Sequence, residues 1–114
     1  MSTDRRLSPL VSEAVSDLKQ QLASRFPGRV LEVRVFGSVA RGEAGEHSDV
    51  DVLVVLDRIA NHAERVAPME LAADVGLARG LVVQALVLGA DELALQRKLE
   101  TGLAEALDRD GIPV

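Results

Sequence analysis

A chain of 114 residues that is 47% hydrophobic can build one core, and we expect a single domain over residues 1–114. Its net charge of −5 and its aromatic content of 2% argue against nucleic-acid binding as the main function, because that binding needs basic surfaces and stacking platforms. The sequence has no cysteine, which excludes disulfides and thiol nucleophiles, and no apolar run of membrane-spanning length, so we expect a soluble, cytoplasmic protein without a membrane partner.

The first half of the chain predicts one helix and two strands. Ser8 to Phe26 begins with Ser-Pro, a helix N-terminus signature, and carries apolar residues at helical spacing. Val30 to Phe36 is an apolar, β-branched run and predicts a strand. Gly37 to Ser48, rich in Gly, Ser and charge, predicts a loop with a single helical turn. Val50 to Leu56 is almost all Val and Leu, which is typical of a central strand buried on both faces.

The second half predicts a helix, a strand and two more helices. These are Asn61 to Arg79, Leu81 to Leu88, Asp91 to Lys98 and Thr101 to Arg109. Pro68 predicts a kink in the first of these helices or its division into two short ones. Gly111 and Pro113 are expected to end the last helix. The order α-β-β-α-β-α-α predicts an α+β fold, a small mixed sheet flanked by helices.

Asp49 and Asp51 open the second predicted strand. Side chains alternate along a strand, so both carboxylates share one face while Val50 and Val52 point into the core. Two carboxylates beside an apolar run repel each other and lose hydration, and a divalent cation relieves both costs. Magnesium binds one or two carboxylates together with phosphate oxygens, so the pair indicates a metal site. Taken alone, an Asp-x-Asp at a strand start is equally well a solvated edge or a turn cap.

Gly37, Ser38 and Arg41 indicate a phosphate-binding turn directly after the first strand. Glycine lets backbone amides approach an anion, the serine hydroxyl can donate to a phosphate oxygen, and the arginine lies one helical turn further on. A Gly-Ser turn alone is usually structural, and Arg41 alone would be a surface residue. Their occurrence together with the aspartate pair favours phosphoryl or nucleotidyl transfer.

The motif as a whole is Gly-Ser, ten intervening residues and Asp-x-Asp. It resembles the signature of the DNA polymerase β-type nucleotidyltransferase superfamily. The segments Phe36 to Gly42 and Ser48 to Asp51 resemble most closely its minimal nucleotidyltransferase branch, found as the antitoxin half of HEPN/MNT toxin–antitoxin pairs. A detached half of an aminoglycoside-type nucleotidyltransferase is the least favoured alternative, because the chain has no helical substrate domain.

The resemblance implies a role for each matching position. Gly37 and Ser38 would bind the triphosphate of ATP or another nucleoside triphosphate, with Arg41 assisting. Asp49 and Asp51 would be the catalytic carboxylates and would hold two magnesium ions. The reaction implied is transfer of a nucleoside monophosphate, AMP from ATP, to a hydroxyl acceptor, which in the antitoxin branch can be a tyrosine of a HEPN toxin partner. The acceptor, the base preference and the oligomeric state of this chain stay open.

One position departs from the family pattern. Active members carry a third carboxylate on the next strand, and within Val82 to Leu88 the corresponding residue is Gln84. An amide is an uncharged ligand and a poor base, so we expect weak or partner-dependent turnover at this degenerate third metal position. Two alternatives stay open: Gln84 only hydrogen-bonds at the strand surface, or the chain is a binding module that neutralises a partner by direct contact. Asp74 and Glu92 are interpreted as surface or capping residues of helices.

Overall fold

The computed structural model describes residues 7–37, 49–99, 102 and 111–113. Within them we number the elements in chain order as α1 (Pro9–Arg25), β1 (Val30–Phe36), β2 (Val50–Leu56), α2 (His62–Leu77), β3 (Val83–Gly89), α3 (Ala90–Lys98) and β4 (Ile112–Pro113). The predicted α+β class with a small mixed sheet flanked by helices is confirmed. In the described part of the chain, no helix combines the length and the apolar character needed to cross a lipid bilayer. The predicted helix Thr101 to Arg109 lies outside the described residues, apart from Gly102.

Side-chain caps fix where the first two helices begin. The Ser8 hydroxyl accepts the amide N–H of Val11 at 3.2 Å, which satisfies one of the free donors of the first turn of α1. The Asn61 side chain accepts the N–H of Glu64 at 3.0 Å and does the same for α2. At the other end of α1, Phe26 is the C-cap residue, as the sequence predicts.

The second helix is continuous through Pro68, so its predicted division into two short helices is wrong. Proline lacks an N–H, and α2 therefore forgoes one backbone hydrogen bond. The helix nevertheless buries Pro68, Ala72 and Val75 and packs against β3 and α1. Tertiary packing of this kind stabilises a helix more than local propensity does, and here it outweighs the helix-breaking effect of Pro68.

The sheet has the strand order β3-β2-β1-β4. Strand β2 pairs antiparallel with β1 and parallel with β3, and α2 provides the crossover that the parallel pair requires. The predicted central position of Val50–Leu56 is confirmed. The third strand begins two residues later than predicted, at Val83, because Leu81 still belongs to the turn and donates its N–H to the carbonyl of Gly76 at 2.8 Å.

The fourth strand is absent from the predicted element order. Gly111 and Pro113 were expected only to end a helix, whereas Ile112 and Pro113 pair with Val35 and Arg34 of β1. Ile112 is 2% exposed and belongs to the core, while Pro113 lies at the sheet edge, where a strand can lack an N–H donor.

The core occupies both faces of the sheet. The face covered by α1 and α2 carries the larger apolar cluster, whose largest fully buried members are Phe26, Leu18, Leu22, Leu56 and Ile112. The opposite face, which we call the α3 face, carries a smaller cluster formed by Leu53, Val55, Leu88 and, from α3, Leu93. Burial of β2 on both faces is thereby confirmed.

Candidate active site

Cross-strand partners on the α3 face form three parallel rows across β1, β2 and β3. They are Phe36–Asp51–Gln84, Arg34–Leu53–Leu86 and Glu32–Val55–Leu88. Side chains of directly opposite residues project from the same face of a sheet. The third row lies next to Gly89 and the start of α3. The first row, which contains Asp51 and Gln84, lies at the far end of the face, where β1 ends and β2 begins.

Gly37 places the backbone of the predicted phosphate-binding turn directly against Asp51. Its φ is +77°, in the left-handed region that residues with a Cβ rarely adopt. A Cβ at this position would lie 2.6 Å from Oδ2 of Asp51, closer than real Cβ contacts come. Glycine is therefore required here for two separate reasons, and the main chain and the carboxylate can approach a common ligand together.

The surroundings of Asp51 disfavour its negative charge. Partial burial and, secondarily, the negative charge of Asp49 raise the pKa of the Asp51 carboxyl above its usual range. Phe36 beside it and Leu53 two residues further along β2 supply the apolar surroundings. The two carboxylates thus interact unfavourably when both are ionised, and a bound cation would remove that cost.

Gln84 connects the two aspartates. It is the register partner of Asp51, and its side-chain Nε2 donates a hydrogen bond to Oδ2 of Asp49 at 3.0 Å. An ionised carboxylate only accepts hydrogen bonds, so the amide nitrogen must face Asp49. Because Gln84 and Asp51 project from one face, this contact brings the Asp49 carboxylate to the same side. The structure therefore unites Asp49, Asp51, Gln84 and Gly37 at one end of the sheet.

The residues present fit a magnesium ion bound together with a nucleotide. Two carboxylates share a face beside a glycine turn, and phosphate oxygens would complete the coordination. Among residues 7–37, 49–99, 102 and 111–113, no group of three or more His, Asp or Glu side chains forms a metal site by itself. Ser38 and Arg41 lie outside the described residues, and their roles in phosphate binding stay predictions.

The site has an apolar flank that the sequence motif does not include. Phe36, in the first row, and Leu86, in the second, are half-buried and pack against the Leu53 cluster. Arg34 also lies in the second row and pairs with Glu32 on the same strand. The signal was the alternation along β1, which assigns Phe36, Arg34 and Glu32 to a single face.

Comparison with known proteins identifies the family. The sequence profile of the nucleotidyltransferase domain matches residues 15–103 of this chain. The chain belongs to the nucleotidyltransferase domain family. This nucleotidyltransferase is 34% identical to the protein adenylyltransferase MntA of Thermococcus cleftensis over 96 residues, 84% of each chain. It is 32% identical over 75 residues to a Methanocaldococcus jannaschii protein provisionally named a protein adenylyltransferase, covering 66% of this chain and 70% of that one.

Solved structures agree with this assignment. A protein provisionally described as a minimal nucleotidyltransferase superposes with a TM-score of 0.56 and 31% identity, covering 90% of this chain and 87% of the other. A toxin–antitoxin complex with AMP-PNP shares the fold with a TM-score of 0.57 at 21% identity, covering 84% of this chain and 68% of the other. The resemblance to the minimal nucleotidyltransferase branch is confirmed, and the chain is a nucleotidyltransferase enzyme by family.

Proposed function

We propose that this nucleotidyltransferase transfers AMP from ATP to a hydroxyl group of a partner protein, with magnesium, and thereby acts as an antitoxin. The observation that carries the proposal is the contact between Asp51 and the Gly37 turn, with Asp49 on the same side. That arrangement puts two acidic ligands next to a backbone able to receive phosphates. The relatives named as protein adenylyltransferases support AMP as the group and a protein as the acceptor.

Asp49 and Asp51 would hold the magnesium ions, and Gly37 would let the triphosphate approach them, with Ser38 and Arg41 as further phosphate ligands. When bound, the metal supplies positive charge that stabilises the transition state and the leaving group. The acceptor oxygen forms a bond to the α-phosphorus, the bond between that phosphorus and the bridging oxygen breaks, and pyrophosphate departs.

The proton of the acceptor hydroxyl leaves to solvent in this scheme, because Gln84 cannot act as a base. The Gln84 amide already donates to Asp49 and has no basic atom of useful strength. A phenol releases its proton more readily than an aliphatic alcohol, so a tyrosine of a HEPN-type toxin is the acceptor we propose. Relatives of the same fold have been crystallised as toxin–antitoxin complexes, which supports a partner of this type.

Radiolabelled ATP and the protein from the neighbouring reading frame provide the test. The wild type should label that partner only when magnesium is present, and Asp49→Asn with Asp51→Asn should abolish labelling. Asp74→Asn is the matched control, since Asp74 is an exposed carboxylate on α2, which packs on the face of the sheet opposite to the first row. Equal labelling by the wild type and the double variant would refute the proposal.

A second function, neutralisation of the partner by direct contact, is favoured by Gln84 alone. The missing third carboxylate weakens the case for rapid turnover. Growth rescue from a co-expressed toxin separates the two functions. If the double variant Asp49→Asn with Asp51→Asn still rescues growth, neutralisation depends on direct contact. If the double variant loses both growth rescue and labelling of the partner, neutralisation depends on AMP transfer.

A further inference from the structure

We infer that Gln84 is a positioning residue that stabilises the metal-free site at the expense of metal affinity, so that the metal is retained only together with a nucleotide. This inference rests on the proposed magnesium-dependent function for the identity of the ligand. Its experiments measure stability and metal binding, and they give an answer whether or not AMP transfer is observed.

The hydrogen bond between Gln84 and Asp49 runs from the amide to the carboxylate. Gln84 spans from β3 to the carboxylate just before β2 and donates to Oδ2 of Asp49 at 3.0 Å. The donated N–H holds the Asp49 carboxylate towards the side that Asp51 occupies, without any cation. Gln84 therefore performs, in the empty site, part of the task that a metal ion performs in the occupied one.

A carboxylate at position 84, as in the family pattern, would bring a third negative charge to the site. Gln84 and Asp51 are direct partners in the sheet, and Asp49 lies on the same side, so an acid at position 84 would face two others. Three carboxylates without a cation repel one another, and the donor to Asp49 would be lost as well. The glutamine avoids this cost but leaves only two charged ligands, which is few for retention of a divalent ion without phosphate oxygens.

The test compares wild type with Gln84→Glu, a change that keeps the shape of the side chain and replaces the donor with a charge. In the absence of metal and nucleotide, we expect the melting temperature of Gln84→Glu to fall by about 4 °C, the scale set by loss of one charge-assisted hydrogen bond in a domain of this size. Mn²⁺ alone should restore the loss. Titration calorimetry with Mn²⁺ alone should show an affinity about tenfold higher for Gln84→Glu than for wild type.

Wild type should bind Mn²⁺ tightly only when α,β-methylene-ATP, which cannot transfer AMP, is also present. Gln84→Ala should lose stability without gaining any affinity for Mn²⁺, because it removes the donor and adds no ligand. If Gln84→Glu does not fold, refolding with and without Mn²⁺ replaces the melting experiment. Refolding of Gln84→Glu in the presence of Mn²⁺ only would support the inference, and failure to refold either with or without Mn²⁺ would overturn it.

Gln21→Glu is the matched control. Gln21 donates its Nε2 to Oδ1 of Asp17 at 3.1 Å on α1, which packs on the opposite face of the sheet. This variant should lose stability in the same way, and Mn²⁺ should not restore it. A metal-free Gln84→Glu protein as stable as wild type, or one that Mn²⁺ rescues no better than Gln21→Glu, would overturn the inference. Failure of AMP transfer in wild type alongside the expected Mn²⁺ results would refute only the proposed function.

Discussion

Replacing Gly37 by alanine perturbs the proposed active site in two ways that can be measured separately. The φ of +77° costs an L-residue about 1–2 kcal/mol of folding free energy. In addition, the new methyl group would lie 2.6 Å from Oδ2 of Asp51, so that the carboxylate must move. We expect Gly37→Ala to lower the melting temperature by about 4–8 °C and to lose most of its AMP transfer and its nucleotide-dependent Mn²⁺ binding.

Two other glycines separate the backbone cost from the contact with Asp51. Gly28 and Gly80 have φ values of +71° and +70°, and a Cβ at either would meet nothing within 4 Å. Gly28→Ala and Gly80→Ala should therefore show a similar loss of stability in thermal and denaturant unfolding, with transfer unchanged. Retention of wild-type transfer and Mn²⁺ binding by Gly37→Ala would show that the approach of the turn to Asp51 has no functional role.

Three further predictions follow from the charges of the described residues. Gln84→Asp should raise AMP transfer in the labelling assay, because it restores the third carboxylate, and a lower or equal rate with intact Mn²⁺ binding would contradict this. Asp51→Asn should stabilise the metal-free protein at pH 7 in thermal unfolding, because burial and the charge of Asp49 raise the pKa of Asp51. Ionised Asp51 therefore destabilises the folded state at pH values above its raised pKa, and this destabilisation is absent at pH values below the usual pKa of an aspartate. The main cause of the low pKa of Glu64, about 2, is its hydrogen bonding to the Arg29 guanidinium. These hydrogen bonds therefore stabilise the folded state fully above about pH 4.5, and this stabilisation is lost as the pH falls towards 2. Thermal unfolding of Arg29→Met between these pH values should show a weaker pH dependence than wild type, and an equal dependence would exclude the pair as its cause.

Much of the fold could be predicted because its signals are local. The bounds of β1 and β2 coincide with runs rich in Val and Leu, and the start of α1 with its Ser8 cap. Strand β4 could not be predicted, since two residues carry no periodicity and the pairing of Ile112 with Val35 joins distant parts of the chain. The continuity of α2 through Pro68 likewise depends on packing against β3 and α1, which the local sequence does not specify.

In the candidate site, too, the local pattern could be predicted and the contacts between strands could not. The spacing of Asp49 and Asp51 at the start of β2 predicts their common side, because side chains alternate along an extended chain. The contact between Gly37 and Asp51 depends on how β1 is aligned with β2, and the bond from Gln84 to Asp49 depends on the alignment of β3. Registers between strands arise from the whole sheet, so the sequence could nominate Gln84 as a missing ligand but could not show it as a donor.

The alignment of Phe36 with Asp51 has an evolutionary consequence. The chain leaves β1 and enters β2 at neighbouring points of the sheet, so the ends of these two strands lie close together. Lengthening the connection between them costs little, about 0.6 kcal/mol of closure entropy for each doubling. The length of the connection can therefore change during evolution without rebuilding the two strands that bring Gly37 and Asp51 together.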